Sequence, residues 1–220
     1  MRAWASWSCG KDGAFALHAV RDEVEVGGLL TTVTDGVVAM SRVPVDLLHA
    51  QAAALDLPLR TIELPWPCPN DVYEQRTGAA LAELQAAGAD AIVYGDLFLA
   101  DIRAYREQGL EGTGLTARFP LWERSTADLA REMLQAGVRA VVVCVDPAQA
   151  PAGIAGRTWD EDLLRDLPEG VDPCGENGEL HTFVTDGPGF ARPVDVVVGE
   201  TYERDGFVYA PVSARGPSTG

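Results

Sequence analysis

Residues 2–20, RAWASWSCGKDGAFALHAV, decide the fold. A strand-like run from Arg2 to Trp7 ends in the polar turn Ser8-Cys9-Gly10-Lys11-Asp12-Gly13, and a helical pattern carrying Phe15, Leu17, His18 and Val20 follows. Strand, glycine turn and helix in that order aim backbone N–H groups and the positive helix end at one spot, which suits an anion. Ser8 offers a hydroxyl, Gly10 and Gly13 permit close approach to the backbone, and Lys11 adds a point charge. The competing reading is an ordinary strand-to-helix turn in which Asp12 caps the helix. The turn is not a Walker A loop, because Ala5 stands at the required first glycine and Asp12 at the required Ser or Thr. Gly112 to Ala117 matches a dinucleotide fingerprint in letters only, since it follows a helical stretch instead of a strand.

Lys11 is the single lysine beside sixteen arginines. Its place in the most glycine-rich polar turn of the N-terminus is either chance or a need for a compact ammonium where a guanidinium fork does not fit. The whole chain has 220 residues, 47% of them hydrophobic, and a formal charge of −16. That length gives one large domain or two small ones with a real core. The acidic surface argues against nucleic acid and against anionic membranes as partners. No apolar run approaches the roughly eighteen residues of a membrane-spanning helix, and no signal-peptide pattern is visible. Cys9, Cys68, Cys144 and Cys174 are scattered without a CxxC pair, which suits a reducing cytoplasm.

The first half alternates strands and helices. Leu29 to Val33, Arg60 to Leu64 and Ala91 to Tyr94 read as strands, and helices are expected after Pro44 and over Val72 to Ala87. This alternation predicts an α/β fold with a Rossmann-like parallel sheet over residues 1–122. Residues 123–220 read as a smaller mixed α+β domain. A helix over Thr126 to Ala136 precedes a buried strand, Arg139 to Val145, and an acidic helix spans Trp159 to Leu167. Strands are expected at His181 to Thr185, Val194 to Val198 and Phe207 to Ala210, and Ser213 to Gly220 reads as a polar tail. The boundary falls in Gly109 to Arg124 or just after it.

Ser8-Cys9-Gly10-Lys11-Asp12-Gly13 resembles the PP-loop, SGGxDS, of the adenine nucleotide alpha-hydrolase-like ATP pyrophosphatases, with Cys9 replacing the second glycine and Gly13 the closing serine. The run from Gly95 and Asp96 to Arg106, and Phe119-Pro120-Leu121-Trp122, resemble the middle motifs of the diphthine–ammonia ligase family. Cys174-Gly175-Glu176-Asn177-Gly178-Glu179-Leu180-His181-Thr182 is similar to that family's C-terminal Gly/Glu-rich motif. The resemblance implies a PP-loop ATPase fold, with ATP across the carboxyl ends of the strands, and a two-step ligation. A carboxylate is adenylated with release of pyrophosphate, and ammonia then displaces AMP to form an amide.

On this resemblance Ser8, Cys9, Gly10, Lys11, Asp12, Gly13, Gly95 and Asp96 would hold ATP, with Mg2+ on Asp12. Lys11, Asp12 and Glu179 would be catalytic, and Asp101, Arg103, Arg106, Glu176, Asn177, Glu179 and His181 would bind substrate. Each has a plainer alternative: Asp12 as helix cap, Cys9 as a small packed side chain, Glu176 and Glu179 in a solvated turn, His181 packed on a strand, and the arginines in surface ion pairs. The expected partners are ATP, ammonia and a carboxylate, small or protein-borne, with a homodimer as a further option. Two other functions stay open, a non-catalytic adenine-nucleotide-binding protein and a tRNA-modifying PP-loop enzyme. The glycine turn at Gly175 to Gly178 is expected to face the N-terminal loop across a cleft.

Overall fold

The computed structural model describes residues 1–216. Its first half is a five-stranded parallel sheet in the order β3-β2-β1-β4-β5. The strands are β1 (Arg2–Ser6), β2 (Glu25–Val33), β3 (Leu59–Glu63), β4 (Ala91–Val93) and β5 (Thr116–Arg118). Helices α1 (Lys11–Val20), α2 (Val45–Ala54), α3 (Asn70–Ala86) and α4 (Ala100–Leu110) make the crossovers. The strand order reverses between β1 and β4, and in such sheets that switch point opens a crevice at the carboxyl ends.

Two departures from the sequence reading have clear causes. Gly28, read as a strand boundary, lies inside β2, because an added Cβ at Gly27 or Gly28 would sit 2.6 Å from the ring of Trp4. The two glycines are the seat of that indole. β5 falls in the span read as a linker, since Thr116, Ala117 and Arg118 form no apolar run.

The second half contains α5 (Thr126–Gln135), β6 (Arg139–Val145), β7 (Thr158–Trp159), α6 (Glu161–Asp166) and β8 (Leu180–Asp186). The short strands β9 (Val196–Val198), β10 (Tyr202–Arg204), β11 (Phe207–Tyr209) and β12 (Val212–Ala214) follow. β6 is the hub, pairing antiparallel with β8, β7 and β11. Trp159 belongs to β7 and not to the acidic helix, which starts later because the Asp160 carboxylate accepts the amide of Leu163 as its cap. Ser213 and Ala214, read as tail, pair with β9, and residues 217–220 lie outside the described residues.

One apolar core runs through both halves. Trp7, Phe15 and Leu47 from the first pack with Val142, Trp159 and Phe183 from the second. A smaller core, with Ile62, Leu81, Ile92 and Leu110, lies under α3 and α4. Gln51 stitches the larger core: it is fully buried, accepts from Trp7 Nε1 at 2.8 Å, and donates to the carbonyls of Cys9 at 3.2 Å and Val184 at 2.6 Å. The amide of Val184 also donates to Cys9 O at 2.9 Å, so β8 is tied directly to the N-terminal loop.

Removing the Gln51 amide takes a partner from three buried groups at once, of which the Cys9 carbonyl keeps another donor, Val184 N. Gln51→Ala is expected to lower the free energy of unfolding by about 2–5 kcal/mol, given that each abandoned buried group costs about 1–3 kcal/mol. Urea denaturation checks this, and a loss under about 1 kcal/mol would contradict the stitch.

Candidate functional site

The loop of residues 8–13 leaves the carboxyl end of β1 and turns into α1. Cys9 carries φ of +64°, in the left-handed region where the PP-loop pattern has glycine. Its side chain turns into the core, within 3.5 Å of Ser41 Oγ, and burial pushes its thiol up to about 12. Cys9 is therefore a packed thiol held in its protonated form, and it does not line the cavity. Gly10 is the helix N-cap and brings no side chain to cap it, so Asp12 is not the cap. At Gly13 an added Cβ would meet Ser6 O at an ordinary 3.5 Å, so nothing steric excludes a side chain at this departure from the pattern.

Lys11 is 1% exposed. Its Nζ donates to Asp12 Oδ2 at 2.9 Å and to the carbonyl of Cys174, and lies 5.4 Å from the centroid of the Trp159 ring. Burial is the largest influence and lowers its pKa, but the Asp12 carboxylate, with smaller help from Cys174 and Asp172, outweighs it and the ammonium stays charged. A compact ammonium meets these two acceptors in a buried site, which fits a lysine in place of a guanidinium fork. Two of its three N–H donors already have acceptors, one from each half of the chain, and the residue also lines the cavity described next. The other oxygen of the neighbouring carboxylate, Asp12 Oδ1, is buried with no hydrogen-bond partner.

A cavity of about 830 Å³ opens over this loop. Ser8, Gly10, Lys11, Asp12 and Gly13 form one wall, and Gly95, Asp96 and Arg106 another. From the C-terminal half come Gly175, Glu176, Gly178 and His181. The turn at Gly175 and the N-terminal loop thus line one cavity of ligand size, and Cys174 just before the turn is hydrogen-bonded directly to Lys11. Glu176 Oε1 accepts the amides of Leu97 at 2.6 Å and Phe98 at 3.3 Å. Burial raises its carboxyl to about 7, the amides oppose this, and the charges of Asp12 and Asp96 add to it. His181 Nε2 is buried without a partner, and burial, helped by the Lys11 charge, lowers the ring to about 4, so the imidazole is neutral at neutral pH.

Several expected site residues are placed elsewhere. Glu179 is 3% exposed and does not line the cavity. Its carboxylate accepts from the amides of Asp172 at 3.1 Å and Asn177 at 2.9 Å and from Asn177 Nδ2 at 2.8 Å. Glu179, expected among the catalytic residues, and Asn177, expected to bind substrate, thus brace the turn that presents Glu176. Asp101 is exposed on the first turn of α4 and away from the cavity. Arg103 is also away from it, pairing with Glu107 at 2.9 Å and lying over the rings of Phe119 and Trp122. Arg106 does reach the cavity, 3.8 Å from Asp96 Oδ2 and over the ring of Tyr94.

Sequence reasoning passed over Thr31 and Thr32 at the end of β2, Ser41, and the tyrosines Tyr73, Tyr94 and Tyr105, all of which line the cavity. The two threonines sit at a strand's carboxyl end, which is the signal that marks ligand contacts in such sheets. The tyrosines converge only through the packing of α3 against α4, which leaves no local pattern. Thr182 was quoted in the motif without a role; its Oγ1 accepts the Lys11 amide at 3.2 Å.

Among the described residues no group of three His, Cys, Asp or Glu could by itself hold a metal ion. A bare Asp12 Oδ1 does fit an ion that completes its shell with phosphate and water, as Mg2+ does. All four cysteines are free thiols, and no described helix is long and apolar enough to cross a membrane.

The comparisons with known proteins agree with this arrangement. The family model for the diphthamide synthase N-terminal domain matches residues 1–117, and that for the diphthamide synthase C-terminal domain matches residues 125–210. The chain is 29% identical over 180 residues to the diphthine–ammonia ligase of Homo sapiens, covering 76% of this chain and 67% of that protein. It is 28% identical over 180 residues to the Bos taurus protein of the same name, with the same coverage. With that of Mus musculus it shares 34% over 98 residues, 42% of this chain and 37% of that protein. The two models match in order on the two halves that wall one cavity, and the chain belongs to the diphthine–ammonia ligase family of PP-loop ATP-binding proteins.

Proposed function

We propose that this protein is an ATP-dependent amide-forming ligase. It adenylates a carboxylate, releases pyrophosphate, and admits ammonia to displace AMP. The relatives are named for diphthine and ammonia, which makes a diphthine-bearing translation elongation factor the first acceptor to try. The observation that carries the reading is the single cavity lined together by the glycine loop and by Glu176 and His181. Activation and amide formation share a reaction centre, and reacting atoms must come within about 3–3.5 Å of each other.

A carboxylate is a poor electrophile, and adenylation turns its oxygen into part of a good leaving group. The charge that grows on departing pyrophosphate meets the open N-terminus of α1, the Ser8 hydroxyl and the backbone near Gly10 and Gly13. Lys11 acts on that charge from beneath the loop, through a low-dielectric interior. Asp12 is the residue that would hold Mg2+, which when bound offsets the triphosphate charge. Asp96 and Arg106 form a polar wall beside the strand ends, and the neutral His181 offers a hydrogen bond without repelling a cation. ATP, ammonia and a carboxylate are the proposed ligands, and the cytoplasm is the proposed compartment.

Incubation with ATP, Mg2+, ammonium and the acceptor is expected to yield AMP and pyrophosphate in equal amounts, read by chromatography. ADP and inorganic phosphate would instead mark transfer of the γ-phosphoryl group. Gly95 gives a second test. A Cβ there would lie 2.7 Å from Gly13 N and 2.8 Å from the carbonyl carbon of Asp12, both rigid backbone. Gly95→Ala should part β4 from the loop and weaken ATP binding at least about tenfold, since overpacking costs about 1–3 kcal/mol. Unchanged affinity in a calorimetric titration would tell against the loop as the nucleotide seat.

A further inference from the structure

Ammonia reaches an enzyme at neutral pH mostly as ammonium, and a nitrogen that has attacked a carbonyl carries a positive charge until it loses a proton. Some group in the cavity must take that proton. The candidates differ in how they are engaged. Asp12 Oδ2 is bound to Lys11 and its bare Oδ1 is the oxygen assigned to Mg2+, Asp96 faces Arg106, and His181, lowered by burial to about 4, is a far weaker base. Lys11 is charged and has no lone pair to offer. Glu179 spends its carboxylate on three donors inside the turn. Glu176 is different. Its Oε1 is pinned by the amides of Leu97 and Phe98, while among the described residues its Oε2 takes no hydrogen bond. The side chain lines the same cavity as the glycine loop.

We infer that Glu176 is the proton acceptor of the amide-forming step, with its backbone clamp at the entrance of α4 setting its position. The inference rests on the ligase reading above. In the step, the ammonia lone pair forms the new C–N bond to the acyl-adenylate carbonyl. The nitrogen then gives one proton to Glu176 Oε2, and the C–O bond to AMP breaks with its electron pair leaving on the AMP phosphate. The products are the amide, AMP and a protonated Glu176 that returns its proton to water.

The electrostatic surroundings suit this. Asp12 on α1 and Asp96 after β4 face the carboxyl, and Asp172 and Cys174 belong to its own turn, with the Lys11 ammonium on the Cys174 carbonyl. Burial and the two facing carboxylates bring Glu176 to about 7, where acceptance and return of a proton are both easy. A raised carboxyl pKa means that the active, ionised form grows as pH rises through that value. The amide step should therefore rise with pH and level off above it.

Glu176→Gln keeps an oxygen for the two amides and removes the base. With the diphthine-bearing acceptor, ammonia-dependent amide formation is expected to fall about 10²–10⁴-fold, the usual range for a general base. Pyrophosphate release without ammonium should persist. Hydroxylamine, unprotonated at neutral pH and a strong nucleophile, should restore product to within about tenfold of wild type. Equal losses with ammonium and hydroxylamine, or no loss with either, would overturn the assignment. Infrared difference spectra of wild type against Glu176→Gln decide it without any acceptor. A carboxyl band that ionises near neutral pH is expected, and a Glu176 already ionised at about pH 5 would overturn it. Absence of pyrophosphate release from the wild type would count against the ligase reading, and the infrared titration would still decide the inference.

Discussion

The Lys11 ammonium, held between Asp12 and the carbonyl of Cys174 over the ring of Trp159, is the contact on which the site's shape rests. A cation taken out of water is stable only if its hydrogen bonds are met, and here they are met from both halves of the chain. Trp159 Nε1 grips the neighbouring carbonyl of Pro173 at 3.0 Å. Two adjacent peptide carbonyls are thus fixed just before Gly175 and Glu176. The turn can then lay its carboxylate against Leu97 and Phe98, at the entrance of α4. Loop, turn and helix entrance are positioned by one buried charge and the backbone groups that answer it.

The rest of the fold supplies rigidity around that contact. The sheet reverses order at β1 and β4, and Gly95 lets the end of β4 press against the start of α1. Gln51 and the bond from Val184 N to Cys9 O hold the loop from below. The result is a cavity in which a backbone-rich glycine loop, a raised carboxyl and a neutral imidazole share the lining. That combination suits a reaction that first departs with pyrophosphate and then takes up a cationic nucleophile.

Much of this was legible in the sequence because it is local. The strand, glycine turn and helix of residues 2–20, the alternating pattern that follows and the motif at 174–182 all state their structure within short windows. What was not legible depends on partners far along the chain. Glu176 and Glu179 look equivalent in the letters, yet a three-residue offset turns one to the cavity and the other into its own turn. Arg103 and Arg106 look equivalent on α4, yet Phe119 and Trp122 take the first while the second reaches the cavity. Lys11 was singled out correctly as unusual, but its partner, Cys174, lies 163 residues away and no spacing could announce it.

Native-state hydrogen exchange of a Lys11→Met protein tests the central contact most directly. Methionine keeps the length and apolar stem and removes the charge. Breaking a buried ionic contact from one side costs about 3–5 kcal/mol. The account predicts that amide protection falls together in residues 8–13 and 172–178, by about a hundredfold or more, while the parallel sheet keeps most of its protection. Unchanged protection at 172–178 would contradict it, because the turn would then be held in place without the lysine.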